Sequence, residues 1–212
     1  MKLDDWLKRL SCLHLRKIRS IYVWLTKTDA RILLSNIQLE WMHQVCRFAH
    51  TGAHANEILS LTWDKVDIDR KLAWVTNDLA KNGRSRPMPL NSEAIALLQE
   101  RESAGTEHCF TRESGVRVTQ VDKRTLDRAA ILSGIKPLKF HDLRHTWASW
   151  HVQSGTPLMV LKELGGWETI EMVQKYAHLD AGHLANYVDA TEFTPHQGLR
   201  QKNSRLTERL IY

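Results

Sequence analysis

His141-Asp142-Leu143-Arg144-His145-Thr146-Trp147-Ala148-Ser149, then Leu164-Gly165-Gly166-Trp167, then Lys175-Tyr176-Ala177-His178-Leu179: these three stretches, in this order, decide how the chain reads. The first opens a helix and sets His141 and Arg144 three positions apart on one face. Near a helix N-terminus such a pair suits an oxyanion, because unpaired N–H groups and the helix dipole favour negative charge there. Taken alone, a surface HxxR is more often a solvated helix face. The two later stretches raise its weight, with Tyr176 nine positions after Trp167.

Upstream, Thr26 and Asp29 form a capping-box-like start for a helix through Ala30, Leu33 and Leu34. A second helix is expected over Leu39 to Ala49, ending at Thr51-Gly52, and a short third from about Ala55 to Leu61. The character then changes. Val66-Asp67-Ile68-Asp69, Leu72-Ala73-Trp74-Val75 and Arg84 to Leu90, the last after a Lys81-Asn82-Gly83 turn, read as strands. Asn91-Ser92 caps a helix from Glu93 to about Glu102, and Cys109-Phe110-Thr111 adds an edge strand. From near Gln120 to about Ala190 the pattern is helical, broken at Gly134 to Pro137, Gly155 to Pro157 and Gly165-Gly166. The expected fold is α+β, mainly α: a helical domain with a small three-stranded antiparallel sheet near its start.

Composition sets the outer limits. At 42% hydrophobic and 25% charged, the 212 residues have the make-up of a soluble globular chain with room for one real core. No run approaches the roughly 18 apolar residues of a membrane span, and no secretory h-region opens the chain. Cys12, Cys46 and Cys109 are odd in number and far apart, which argues against a disulfide framework or a CxxC zinc site and for a reducing, cytoplasmic setting. The net charge of +6 suggests a nucleic-acid partner, yet it is concentrated at the ends. Residues 1–27 carry +5 and residues 194–212 carry +3, leaving the body at −2. A phosphate-binding body must therefore gather its cations locally.

HDLRHTWAS, LGGW and KYAHL, in this order and spacing, resemble the catalytic half of the tyrosine recombinases, the phage-integrase family. Upstream, TGAHANEILSLTWDKVD (51–67) resembles the family's TGxRxxEIxxLxWxDVD segment, KNGRSRPMPL (81–90) its lysine-bearing β-hairpin, and YVWLTKTDARILL (22–34) the opening of the domain. The resemblance implies three parts: a basic helical remnant or linker over 1–21, a catalytic domain over 22–185, and a basic tail over 186–212. It implies a bacterial or phage-encoded protein, with double-stranded DNA as partner, four protomers on two duplexes, no small-molecule substrate and no cofactor or metal. The tail residues Leu199, Leu206, Leu210 and Ile211 read equally well as a docking segment or a solvated end.

The chemistry accounts for the residue types. A Tyr hydroxyl that attacks a DNA phosphorus leaves a 3′-phosphotyrosyl bond and a free 5′-OH, conserving the ester so that a second 5′-OH can rejoin the strand without ATP. The phosphorane gathers negative charge on its non-bridging oxygens and needs fixed cations and donors aimed at them. By resemblance Tyr176 is the nucleophile, Arg144 a forked phosphate clamp, His141 a donor or acid–base partner, and Lys81 the proton donor to the leaving 5′-oxygen. Trp167 stands where most relatives have His; its indole N–H donates a hydrogen bond but transfers no proton. Glu57 falls on an acidic position that braces the site.

One position departs from the pattern. Where the family's first motif ends in Arg, this chain has His54, and neither Arg47 upstream nor Arg70 downstream restores the register. Imidazole is shorter than guanidinium, offers at most two donors and is mostly neutral at pH 7. The expectation is therefore a recombinase fold with its nucleophile and with impaired strand cleavage. Only some 20 residues precede the resemblance, where relatives carry a helical DNA-clamping domain, so the chain resembles a truncated or degenerate prophage integrase and weak, salt-dependent DNA affinity is expected. The closest rival reading is a non-catalytic DNA-binding module, which His54 favours. A type IB topoisomerase shares the Tyr chemistry but not the LGGW to YAHL spacing. His141 and His145 at i, i+4 raise a metal-dependent hydrolase, for which no acid lies at HExxH spacing. A helix-turn-helix regulator leaves Lys81 and Tyr176 unexplained.

Overall fold

The computed structural model describes residues 24–75, 85–102 and 105–179. Among them run eight helices and one small sheet, the mainly α fold expected: α1 (Lys27–Ser35), α2 (Glu40–Ala49), α3 (Ala55–Leu59), β1 (Val66–Asp67), β2 (Leu72–Val75), β3 (Arg86–Pro89), α4 (Ser92–Glu102), α5 (Lys123–Leu132), α6 (Phe140–Gln153), α7 (Leu158–Gly165) and α8 (Glu171–Gln174). The Thr26–Asp29 capping box forms at the start of α1, and the Asn91 side chain caps α4 by accepting from the Ala94 N–H at 2.8 Å.

The sheet is antiparallel in the order β1-β2-β3, with Val66 opposite Ala73, and Ala73 opposite Met88. Alternation along β2 buries Ala73 and Val75 while Leu72 and Trp74 stay half-buried. Pro87 and Pro89 occupy alternate positions of the edge strand β3, where a missing N–H is tolerated. The expected edge strand at Cys109-Phe110-Thr111 does not form. The Cys109 N–H donates to the Leu61 carbonyl at 2.9 Å, and the Arg112 N–H closes a local turn on the Val116 carbonyl. Only isolated bridges result, His108 with Thr62 and Thr111 with Arg117. Cys109 and Phe110 are instead buried as a plug, Phe110 edge-on to Phe48.

The core has two parts that meet on α6. The larger gathers α2, α3, the sheet, α4 and α5 around Met42, Val45, Phe48, Ile58, Leu98 and Leu143. The smaller packs Trp147, Ala148 and Val152 of α6 against Leu161, Val173 and Tyr176. A helix buried on most sides must satisfy its polar side chains internally, and α6 does so by back-bonding. The Thr146 hydroxyl donates to the Asp142 carbonyl and the Ser149 hydroxyl to the His145 carbonyl, each at 2.9 Å. The Leu25 N–H donates to Thr146 Oγ1, and Trp150 Nε1 donates to the Leu25 carbonyl, fastening the segment before α1 to α6.

Gly52 ends the turn after α2 at φ +83°, and a Cβ there would lie 2.6 Å from the Trp147 ring. Both backbone and space therefore require glycine. Gly52→Ala is expected to cost about 2–4 kcal/mol of stability, from left-handed strain and overpacking together. Thermal unfolding of the two proteins measures it, and an unchanged melting temperature would show that the turn can relax.

Candidate active site

The Gly52 turn matters because its carbonyl reaches the centre of the molecule. Arg144 projects from the second turn of α6 with only 2% of its surface exposed. One Nη donates to the Gly52 carbonyl, and the other donates to the Gly165 carbonyl at 2.6 Å. The guanidinium lies 4.2 Å from the centroid of the Trp167 ring, within cation–π range. Two donors are thus committed to carbonyls, and a guanidinium has five. Burial pulls its pKa down to about 10, with Glu57 opposing that shift and Arg86 adding to it, so the group keeps its charge at neutral pH.

The glycines after α7 explain how Trp167 comes to lie there. Gly166 caps the helix in the left-handed conformation, φ +68°. A Cβ on Gly165 would fall inside the Trp167 ring, so only glycine lets the indole fold back over the helix end. Trp167 then stacks on Trp147 with ring centroids 6.0 Å apart and meets Tyr176 at 6.1 Å.

Tyr176 follows α8 and is buried, with 2% of its surface exposed. Its hydroxyl lies 2.5 Å from Nδ1 of His145, itself 5% exposed. The His145 ring meets that of His141 edge-on at 4.7 Å, and His141 stacks on His54 at 5.5 Å with planes 10° apart. Burial, then the positive field of Lys175, His141 and Arg144, lowers the His145 pKa to about 3, so its ring is neutral across the physiological range. The Lys175 ammonium, 5.1 Å from the Tyr176 ring centroid, is likewise pulled down, by burial and then by Arg144.

A second ionic layer sits behind this one. Glu57, on α3, is buried; its carboxylate accepts the His54 N–H at 2.8 Å and Arg86 Nη2 at 3.0 and 3.2 Å. Arg86 comes from β3, and its stem covers Gly166. Asp142 turns to the start of its own helix, accepting the Lys139 N–H at 2.7 Å.

Of the residues picked out by sequence, His54, His141, Arg144, Trp167 and Tyr176 come together here, with Glu57 beside them. Lys81 lies outside the described residues, as do the segments 1–21 and 186–212. Two neighbours were not foreseen: Arg86, read only as part of a strand, and His145, weighed only as a metal ligand. Its position one residue after Arg144, on the helix face that looks toward Tyr176, is the signal that could have found it. Among the described residues no trio of His, Cys, Asp or Glu is grouped to hold a metal.

Two cavities compete as the place where chemistry occurs. The larger, about 710 Å³, lies between α1, α2 and α6, and none of His54, His141, Arg144, Trp167 or Tyr176 lines it. The smaller, about 480 Å³, is open to solvent beside His54, Asn56, Phe140, His141 and Arg144. The cationic and imidazole groups favour the smaller as a seat for an anion. It offers a charged guanidinium at its floor and imidazole groups along its wall, the elements that stabilise charge developing on oxygen.

A model of the phage integrase family matches residues 23–183. The integrase of Salmonella phage P22 is 38% identical over 177 residues, covering 77% of this chain and 46% of that protein. The tyrosine recombinase XerC of Xanthomonas campestris pv. campestris (strain B100) is 34% identical over 149 residues, covering 68% of this chain and 45% of that one. The chain thus spans about half the length of these curated relatives. In three dimensions it resembles the catalytic domain of bacteriophage HP1 integrase, with a TM-score of 0.61, 26% identity, and coverage of 83% of this chain and 99% of that one. It resembles the Tn1549 transposon integrase in fold, with a TM-score of 0.64 at 21% identity over 79% of this chain and 66% of that one. Both the motifs and the fold that carries them therefore place the chain in the phage integrase family, the tyrosine recombinases, with its match to that family falling on the catalytic portion.

Proposed function

We propose that this chain is the strand-cleaving portion of a site-specific DNA recombinase, spanning residues 22–185. Tyr176 Oη attacks a DNA phosphorus, the 5′-oxygen leaves with a proton, and a 3′-phosphotyrosyl ester holds the strand until a second 5′-OH reverses the step. The observation that carries this reading is the convergence of Tyr176, Arg144 and Trp167 from three separate stretches onto one cationic site. Arg144 clamps the phosphate with the donors that Gly52 and Gly165 leave unused. His141 and Trp167 donate to its oxygens, and Lys81 protonates the leaving group. Double-stranded DNA as substrate gains support from relatives of the same fold, since XerH is bound to its difH substrate and the Tn1549 integrase to transposon DNA. Four protomers on two duplexes, in a bacterial cytoplasm, complete the proposal.

His54 favours a second reading, in which the site grips a phosphate without cutting. The two separate on a suicide half-site, whose cleaved strand diffuses away and traps the intermediate. Cleavage predicts a slowly accumulating protein–DNA adduct that survives denaturation, with the DNA attached to the peptide containing Tyr176. DNA binding without adduct, even over long incubation and with Arg restored at position 54, leaves the second reading standing.

A further inference from the structure

Within that proposed cleavage reaction the nucleophile must lose a proton, and the structure assigns the acceptor. We propose that His145 is a catalytic base, its Nδ1 taking the hydroxyl proton of Tyr176 as Oη bonds to phosphorus and returning it when the strand is rejoined. The sum balances without a further reactant: the O–H bond of the phenol breaks, the O–P bond forms, the N–H bond forms on the imidazole, and the departing 5′-oxygen takes a separate proton from its own donor.

Geometry supports this first. Nδ1 lies 2.5 Å from the phenol oxygen, within the reach a general base needs. The His141 ring meets His145 edge-on and stacks on His54. The residues are also held: His145 projects from the middle of α6, and Tyr176 sits in the turn after the short helix α8 with its side chain buried beside Trp167.

Electrostatics adds a timing element. The groups facing His145 are Lys175 and Tyr176 from the end of α8, and His141 and Arg144 from α6, with His54 stacked beyond His141. Their positive field and the burial of the ring keep the imidazole unprotonated and, by the same means, hold it a weak base. A DNA phosphate brings negative charge beside the same cations and offsets that field. The base therefore gains strength when substrate is seated.

Two measurements on the full chain test this. The first is nitrogen NMR of ¹⁵N-histidine-labelled protein, with His145 assigned by the loss of its signals in His145→Asn. The expected state is an unprotonated Nδ1 and a protonated Nε2 from about pH 5 to about pH 9, with the Nδ1 signal moving in Tyr176→Phe. A proton on Nδ1 would make the imidazole a donor to the phenol and overturn the proposal.

The second uses a half-site with sulfur at the 5′-bridging position, whose leaving group needs no acid, in the His54→Arg background. His145→Asn places an amide oxygen near the Nδ1 position, preserving a hydrogen-bond acceptor that cannot take up the proton. It is expected to slow adduct formation about 100-fold at neutral pH and to make the logarithm of the rate climb with pH, because hydroxide must then generate the phenolate. A rate near the parent's, or an unchanged pH profile, would mean that His145 only positions Tyr176. Absence of adduct from every chain removes the cleavage reading and this inference with it. Adducts that form while Nδ1 carries a proton remove only the role given to His145.

Discussion

Replacing His54 by arginine will accelerate adduct formation on a suicide half-site by roughly 10²–10³-fold, the usual worth of one well-placed transition-state donor. The reason lies in how little charge the cleft presents without it. Arg144 is the one guanidinium lining the smaller cavity among the described residues, and two of its donors are held by the carbonyls of Gly52 and Gly165. His54 contributes an imidazole that lies flat against His141 rather than a fork aimed at a phosphate. The backbone at 54 is already placed for the change, since its N–H is anchored to Glu57 Oε2 at 2.8 Å. An introduced guanidinium would extend over the cleft with the Glu57 carboxylate behind it. Single-turnover rates at saturating DNA isolate the chemical step from binding. A gain below about tenfold would show that His54 already serves the reaction, and the idea of impairment would fall.

Legibility from sequence followed the range of the forces involved. The helices were readable because their caps and apolar periods are local: Thr26 and Asp29 lie three residues apart and form the box that their spacing predicts. The sheet was readable because Val66-Asp67-Ile68-Asp69 and Leu72-Ala73-Trp74-Val75 are short β-favouring runs set between turn residues, and neighbouring runs of this kind pair. Cys109-Phe110-Thr111 misled because an apolar run looks the same as an edge strand or as a plug, and only the distant Leu61 carbonyl decides between them. The motif residues of the site were named from their order along the chain. What order could not supply was the partner of each group. Arg86 and Glu57 are 29 positions apart, and His145 and Tyr176 are 31 apart. Whether such a pair meets is a tertiary outcome that no local pattern encodes.

The Arg86–Glu57 pair is where the site and the stability of the molecule depend most directly on each other. The Glu57 side chain is 4% exposed and that of Arg86 17%, so the pair is largely withdrawn from water. Arg86→Ala leaves a buried carboxylate with the His54 N–H and the more remote charge of Arg144 as compensation, and removing one partner of such a pair costs about 3–5 kcal/mol. Denaturant unfolding of the free protein will read this as a shift in midpoint at constant slope. Replacing both residues, Glu57→Gln with Arg86→Met, removes the orphaned charge along with its partner and is expected to restore most of the loss, because desolvation offsets much of what a buried pair gains. The cycle also separates two roles for Arg86. Were it only a brace for Glu57, the double replacement would recover stability and adduct formation together. Its stem, however, covers Gly166, and Nη1 reaches toward the Leu164 carbonyl at 3.5 Å, at the turn that sets the Trp167 ring against Arg144. Recovery of stability without recovery of adduct formation is therefore the expected result, since methionine can fill the space above Gly166 but cannot bond to that carbonyl. Recovery of both would assign the whole effect of Arg86 to the charge on Glu57.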